Sequence, residues 1–269
     1  MSTHPDAAAQ EPMRIGLTSF AYRWHIHEGM TVLRLIEEAA SLKAEVIQIA
    51  ENVPLDSLSL IEMKDLGGYA KSLGLVVELG VADPTSAEWI RHLERCRAFG
   101  ARILRAIIDG KNGYVDPAAA AAGLGALVPV LQETGITLCV ENHFRFTPAE
   151  LIGIMKKVDS PFVAVCLDPL NAITRLVGPD EAAASLLPYA RTAHIKNVRL
   201  ERPHIGFNFT GCPLGEGLFD AAGFLKRIKS RVASALYECW MDPLDTVTST
   251  LEQEKLWARA GMDFLRSNR

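Results

Sequence analysis

The chain has 269 residues, a formal net charge of −4, and a composition that is 49% hydrophobic and 22% charged. This length fits one large domain or two ordinary domains of about 130 residues each. The negative charge gives no general attraction for nucleic acid or for anionic membranes, so we predict neither as a partner. A membrane-spanning helix needs about 20 consecutive apolar residues, and every apolar run in this sequence is much shorter.

The N-terminal residues and the cysteines indicate the cellular compartment of the protein. Residues 1–13 are polar and Ala-rich and lack the charged-then-apolar pattern of a secretory signal, so we predict a flexible leader there and one domain over 14–269. Five cysteines form an odd set without a C-x-x-C pair. Free cysteines are typical of a reducing compartment, and we therefore expect a cytoplasmic protein.

Eight short apolar runs alternate with longer amphipathic stretches at intervals of roughly 30 residues. The runs are continuously apolar, as expected of parallel strands that are covered by helices. In chain order the predicted strands are Ile15–Phe20, Val46–Ala50, Leu75–Leu79, Ile103–Ile108, Ile136–Val140, Phe162–Leu167, Thr192–Ile195 and Ala233–Tyr237.

Helical patterns fill the intervals, and several of them end at a glycine, which favours a helix C-terminus. The predicted helices are Met30–Leu42, Leu58–Leu73, Ala87–Phe99, Pro117–Thr134, Pro148–Val158, Asp180–Tyr189, Asp220–Val232 and Thr246–Leu265. Because the alternation is unbroken, we predict a single (β/α)₈ TIM barrel of the α/β class. The longest connection, 197–219, is predicted to be a loop on the C-terminal face, where such barrels build their active sites.

Four consecutive late strands are followed by, or end in, a polar residue. Glu141 and Asp168 follow the fifth and sixth strands. His194 lies at the seventh strand and Glu238 follows the eighth. These ends point into one barrel mouth, and a charged group there needs a partner or a metal. Unrelated salt bridges or caps explain any one of these residues equally well, but a shared site explains all four better.

Three carboxylates and one imidazole make a hard, oxygen-rich set of ligands. Such a set suits Mn²⁺, Mg²⁺ or Co²⁺ better than a structural zinc. The metal's charge also offsets the repulsion between the carboxylates. The sequence therefore predicts one divalent metal ion as the cofactor, held by Glu141, Asp168, His194 and Glu238.

From about Ile15 to Leu265 the chain resembles the xylose-isomerase-like (sugar phosphate isomerase/epimerase) barrels. The resemblance rests on Val140–His143, Leu167–Asn171, His194–Lys196 and Pro213–Gly217. It implies a small carbohydrate substrate and the same four metal ligands. Two further segments, Ser19–Trp24 and His204–Phe207, resemble a narrower group that decarboxylates 3-oxo sugar acids and includes 3-oxo-isoapionate decarboxylase.

Glu141 and Glu238 are also predicted to be catalytic. Their strands lie well apart around the ring, so the two carboxylates can flank a bound sugar. One Glu would remove the proton beside the carbonyl and the other would return one to the opposite face, through a metal-stabilised enediolate. We therefore expect an isomerase or epimerase of a small keto-sugar or sugar acid. The alternative is a lyase that releases CO₂ through the same enolate.

Further residues near the strand ends are predicted to contact the substrate. Lys196 lies two residues after His194, so its side chain points to the same side of the strand. Its alternative role is a structural ion pair. For His143 the alternatives are an outer hydrogen bond to a metal ligand or loop packing, and for Arg23 and His204 simple surface exposure. The substrate-binding set is Lys196, His143, Arg23, His204 and Asn171.

Other functional classes fit less well. An abasic-site endonuclease on this barrel needs more metal-binding histidines and a basic DNA-binding face. A non-catalytic sugar-binding barrel would be expected to lack a ligand, and none is missing. No P-loop or G-x-G-x-x-G is present, so no nucleotide cofactor is predicted. The sequence is compatible with a homo-oligomer but leaves the oligomeric state open.

Overall fold

A computed structural model describes residues 12–110 and 116–269 of the chain. Residues 1–11 of the predicted leader lie outside the described residues, whereas Met13 is buried. Within the described residues, no helix combines the length and apolar character required to cross a membrane.

Eight parallel strands close into a barrel, which confirms the predicted fold. Strands β1 to β7 follow one another around the ring, and β10 closes it between β7 and β1. Each barrel strand overlaps its predicted run. The barrel strands are β1 Arg14–Thr18, β2 Val46–Ile49, β3 Val76–Ala82, β4 Ile103–Ile107, β5 Thr137–Glu141, β6 Val163–Leu167, β7 Ala190–Ile195 and β10 Ser234–Tyr237.

Helices cover the outside of the barrel and pack against their neighbours. Ser59, Thr85 and Thr147 each form a capping box with the Glu three residues later, which pairs backbone N–H groups at a helix start. The helices are α1 Arg23–His27, α2 Val32–Ser41, α3 Leu60–Ser72, α4 Ser86–Phe99, α5 Pro117–Thr134, α6 Pro148–Val158, α7 Pro179–Leu186, α8 Ala221–Ile228 and α9 Val247–Asn268.

The long connection after β7 is a β-hairpin, not the predicted loop. Its strands β8 (Asn197–Glu201) and β9 (Asn208–Cys212) pair antiparallel. The Asn197 side chain fastens the hairpin base, since its amide oxygen accepts from Phe219 N at 3.1 Å and its nitrogen donates to Phe219 O at 2.9 Å. Gly217 permits this close approach, because a Cβ there would lie 2.2 Å from Asn197 Oδ1.

A polar column fills part of the barrel interior beneath the mouth. Gln48 Nε2 donates to Glu78 Oε2 at 3.0 Å, and Ser234 Oγ donates to Glu78 Oε1 at 2.6 Å. Ser234 also lies 2.7 Å from Thr192 Oγ1. Burial raises the pKa of Glu78 above its ordinary value, although both hydrogen bonds oppose the shift. The buried polar groups are thus paired with one another, as they must be away from water.

Candidate metal centre and active site

The four predicted metal ligands are buried together at the barrel mouth. The Nδ1 atom of His194 is their common neighbour. It lies 3.0 Å from Glu238 Oε2, 3.7 Å from Glu141 Oε2 and 4.0 Å from Asp168 Oδ2. Strand ends from β5, β6, β7 and β10 therefore place three carboxylates around one imidazole nitrogen.

Local hydrogen bonds hold Asp168 in place and leave one of its oxygens facing the cluster. Oδ1 accepts from Leu170 N at 3.1 Å and from Asn171 N at 3.4 Å, so it caps the 3₁₀ helix that begins at Pro169. The Asn142 side chain bonds the Asp168 backbone at both its N–H and its C=O. With one oxygen engaged in this way, Oδ2 remains for the cluster.

Lys196 lies inside the cluster. Its ammonium is 2.5 Å from Asp168 Oδ2, 2.8 Å from Glu238 Oε1 and 3.9 Å from the centre of the Trp240 ring. Burial alone would lower the pKa of Lys196, but the surrounding carboxylates raise it above its ordinary value. Lys196 is therefore a permanent positive charge that is already ion-paired.

Arg105 supplies a second buried positive charge on the other side of the cluster. Its Nε lies 3.3 Å from Glu141 Oε2 and its Nη1 lies 2.9 Å from Glu51 Oε2. Asn171 contributes a neutral contact, because its Nδ2 donates to Glu141 Oε1 at 2.8 Å. Both Glu141 oxygens are thus held by neighbouring groups.

Asp168 and Glu238 share the ammonium of Lys196, yet their pKa values move in opposite directions. Burial raises the pKa of Asp168 despite Lys196, and the nearby Glu238 and Glu141 add to the rise. Burial would also raise the pKa of Glu238, but Lys196 and His194 hold it well below its ordinary range. The difference has a geometric cause, since His194 Nδ1 lies 3.0 Å from Glu238 Oε2 but 4.0 Å from Asp168 Oδ2.

Three observations indicate that the cluster could bind a divalent metal. Two buried atoms that face it, Asp168 Oδ2 and His194 Nδ1, have close neighbours but no partner in hydrogen-bond geometry. Ligand atoms of Asp168, His194 and Glu238 lie within 4.8 Å of one another, as do those of Glu141, Cys166 and His194. Burial raises the pKa of the Cys166 thiol well above its ordinary value, which disfavours the thiolate and leaves carboxylate oxygen and imidazole nitrogen as the main donors.

A cavity of about 270 Å³ opens beside this cluster. Glu141, Glu238 and Lys196 form part of its floor, and the aromatic side chains of Phe20, Phe144 and Trp240 form part of its wall. Larger cavities of about 370 and 650 Å³ occur elsewhere in the described part of the chain, away from the carboxylates. The small cavity is therefore the candidate substrate site.

The structure brings most of the predicted substrate-binding residues to this cavity. Arg23, His143 and Lys196 line it, whereas Asn171 lies behind the carboxylates that it supports. His204 lies exposed in the turn of the hairpin and does not line the cavity. His143 Nδ1 is 2.5 Å from Asp109 Oδ2. Burial opposes protonation of His143, but Asp109 and Glu141 raise its pKa.

Sequence reasoning missed several residues at the site, and three of them show which signals were present or absent. Asp109 comes two residues after β4, where the rule that found Glu141 would also have found it. Gln48 is a polar residue inside an apolar strand, which signals a buried partner. Trp240 follows Glu238 by two residues, and no sequence pattern distinguished it from a core aromatic residue.

Comparisons with known proteins agree with this fold. The family model described as xylose isomerase-like TIM barrel matches residues 36–268. A 3-oxo-isoapionate decarboxylase of Pectobacterium atrosepticum is 26% identical over 261 residues, covering 94% of this chain and 95% of the relative.

Solved structures of other proteins have the same fold. The D-psicose 3-epimerase with D-tagatose from Clostridium cellulolyticum H10 is 18% identical, with a TM-score of 0.74 and coverage of 95% of this chain and 99% of that chain. A xylose isomerase-like TIM barrel protein from Mycobacterium smegmatis in complex with magnesium is 17% identical, with a TM-score of 0.63 and coverage of 97% and 100%.

Proposed function

The chain belongs to the xylose isomerase-like TIM-barrel family, and we propose that it is a divalent-metal-dependent isomerase or epimerase of a small keto-sugar or sugar acid. One observation carries the proposal. Glu141 and Glu238 come from strands on different sides of His194, and both line the same cavity. A sugar in that cavity can therefore meet a carboxylate on two sides.

Glu141, Asp168, His194 and Glu238 would hold the metal. When bound, a divalent cation supplies Lewis-acid stabilisation of the negative charge that develops beside the substrate carbonyl. We assign that ion to Mn²⁺, Mg²⁺ or Co²⁺, because carboxylate oxygens dominate the ligand set.

The protein's own groups carry the proton transfer. One of the two glutamates takes the proton beside the carbonyl and the other returns one to the opposite face. Lys196 forms an ion pair with Glu238, and Arg105 forms one with Glu141, so both carboxylates are held in place at the cavity. With a sugar bound, the aromatic side chains of Phe20, Phe144 and Trp240 in the cavity wall would help to exclude water, which would strengthen these charge interactions.

Solvent exchange tests this proposal. In D₂O with Mn²⁺ present, the enzyme should place deuterium at the epimerised or isomerised carbon of a keto-sugar, without releasing gas. NMR of the recovered sugar detects the label, and protein without added metal is the control. If no small keto-sugar or sugar acid yields a labelled isomer, the isomerase assignment fails.

A second candidate function is the decarboxylation of a 3-oxo sugar acid. It is favoured by the 26% identity with a 3-oxo-isoapionate decarboxylase over nearly the whole chain. Arg23 adds a structural reason. It lines the cavity, its guanidinium lies 5.0 Å from the centre of the Trp24 ring, and no carboxylate among residues 12–110 and 116–269 pairs with it, so it can bind a substrate carboxylate.

Product analysis separates the two candidates. A decarboxylase should release CO₂ in equal amount to the acid consumed and place one solvent deuterium where the carboxylate had been. Arg23→Met should then slow turnover of the acid far more than that of a neutral analogue, because only the acid carries a charge for Arg23 to bind. Stoichiometric CO₂ without any epimer would replace the first proposal by the second.

A further inference from the structure

We propose that Gln48 fixes the imidazole of His194 so that Nδ1, not Nε2, is the atom offered to the metal. This inference rests on the proposed metal-dependent function. Gln48 lies on β2, across the barrel from β7, and contacts none of the three carboxylates that surround His194 Nδ1 in any described hydrogen bond. Its role would be to position a ligand.

The orientation of the Gln48 amide follows from its neighbours. On one side, Arg105 Nε lies 3.4 Å from Gln48 Oε1, and a guanidinium can only donate. On the other side, Glu78 Oε2 lies 3.0 Å from Gln48 Nε2, and a carboxylate accepts. Both neighbours require the same arrangement, with the amide oxygen towards Arg105 and the amide nitrogen towards Glu78.

This orientation determines which nitrogen of His194 carries a proton. Gln48 Oε1 is 2.9 Å from His194 Nε2 and has no proton to give, so Nε2 must donate. Metal binding requires a neutral imidazole, and in that form the lone pair belongs to Nδ1, which is the atom that faces Glu238, Glu141 and Asp168. Lys196 donates to two of these carboxylates, but no described hydrogen bond reaches His194 Nδ1, and a divalent cation would satisfy this lone pair together with the carboxylates.

The buried polar side chains of Glu78, Ser234 and Thr192 prevent the Gln48 amide from flipping. Glu78 is paired with Gln48 in the register of β2 and β3, and its other oxygen accepts from Ser234 Oγ at 2.6 Å. Ser234 in turn lies 2.7 Å from Thr192 Oγ1. If Gln48 rotated, its oxygen would face Glu78 and its nitrogen would face Arg105, and two buried contacts would become repulsive.

Two variants separate ligand positioning from general packing. Gln48→Met keeps the length and volume of the side chain but removes the acceptor for His194. Ser234→Ala removes a hydrogen bond from the same column without touching His194. We expect Gln48→Met to weaken Mn²⁺ binding 10- to 100-fold, the usual effect of losing such a partner. Ser234→Ala should lower the melting temperature but leave the Kd for Mn²⁺ within about threefold, since it alters no group in contact with a ligand.

Chelator competition with Mn²⁺ as the probe measures the Kd of each variant. Equal Kd values for wild type and Gln48→Met would overturn the role of Gln48 while leaving the metal site intact. Equal weakening in both variants would overturn it too, since the effect would then be general loosening. If the wild-type protein bound no Mn²⁺, Mg²⁺ or Co²⁺, the proposed function itself would fail.

The wild-type protein provides a test that needs no folded Gln48 variant. In ¹⁵N NMR of the Mg²⁺-saturated protein, the His194 ring should show a protonated Nε2 and an unprotonated Nδ1. Comparison with His194→Gln identifies its signals. A proton on Nδ1 would contradict the proposal.

Discussion

At the residue scale, Glu141 and Glu238 are the side chains whose charge the proposed chemistry requires. Glu141→Gln and Glu238→Gln keep the shape of each side chain but remove its ability to accept a proton. Each substitution should lower kcat by at least about 10², the usual scale of acid–base catalysis. Steady-state turnover with saturating metal measures the effect.

Glu201→Gln is the matched control for these two substitutions. Glu201 is an exposed glutamate at the end of β8, outside the residues that line the cavity. Its replacement should leave turnover unchanged. A Glu141→Gln or Glu238→Gln protein that retained full kcat would exclude that glutamate from proton transfer.

In the proposed mechanism Asp168 and His194 would hold the metal, whereas the two glutamates would move protons. Asp168→Asn retains an oxygen that can cap Leu170 and Asn171, so the local fold should survive. We expect both Asp168→Asn and His194→Ala to weaken Mn²⁺ binding while the circular dichroism spectrum stays native. If either variant unfolded in the presence of metal, the residue would be needed for folding and not specifically for metal binding.

At the element scale, the buried carboxylate of Glu254 on α9 secures the short helix α1. It accepts from Trp24 N at 2.8 Å, His25 N at 3.0 Å and His25 Nδ1 at 2.6 Å. Helix α1 begins at Arg23, which lines the cavity, so this contact also positions a wall of the site. Glu254→Gln cannot serve all these donors and should destabilise the fold by about 1.5–3 kcal/mol, the range for hydrogen bonds to charged groups.

Urea unfolding measures that loss, and Glu252→Gln is the control. Glu252 lies on the same helix but is exposed. Its substitution should change the free energy of unfolding by less than about 0.5 kcal/mol, as is usual for surface positions. Equal stability of Glu254→Gln and Glu252→Gln would show that α1 does not depend on Glu254.

Helix and strand bounds were predictable where local signals are strong. The bounds of α5 and α6 agree with the prediction at both ends, since each helix has Pro at its first position and α5 stops at Gly135. The hairpin β8–β9 was not predictable, because its Gly-, Pro- and His-rich sequence is typical of a loop. Its exposed apolar residues Phe207 and Phe209 did not form a recognisable alternating pattern.

At the scale of the whole molecule, the barrel's topology explains why four site residues were predictable. Neighbouring parallel strands bring their C-terminal ends together, so strand order alone placed Glu141, Asp168, His194 and Glu238 side by side. Strand order does not predict which side chains meet across the barrel. Gln48 lies 146 positions from His194, and only closure of the ring makes them neighbours. The inward burial of Lys196 between two carboxylates likewise depends on side-chain packing that strand order does not specify.

We propose that this barrel works with one divalent metal per chain. The most direct measurement is elemental analysis of mildly purified protein, combined with an activity assay before and after chelation. We expect about one ion per chain, loss of turnover in the chelated protein, and recovery on adding Mn²⁺, Mg²⁺ or Co²⁺. Full turnover in protein from which metal has been rigorously removed would contradict it.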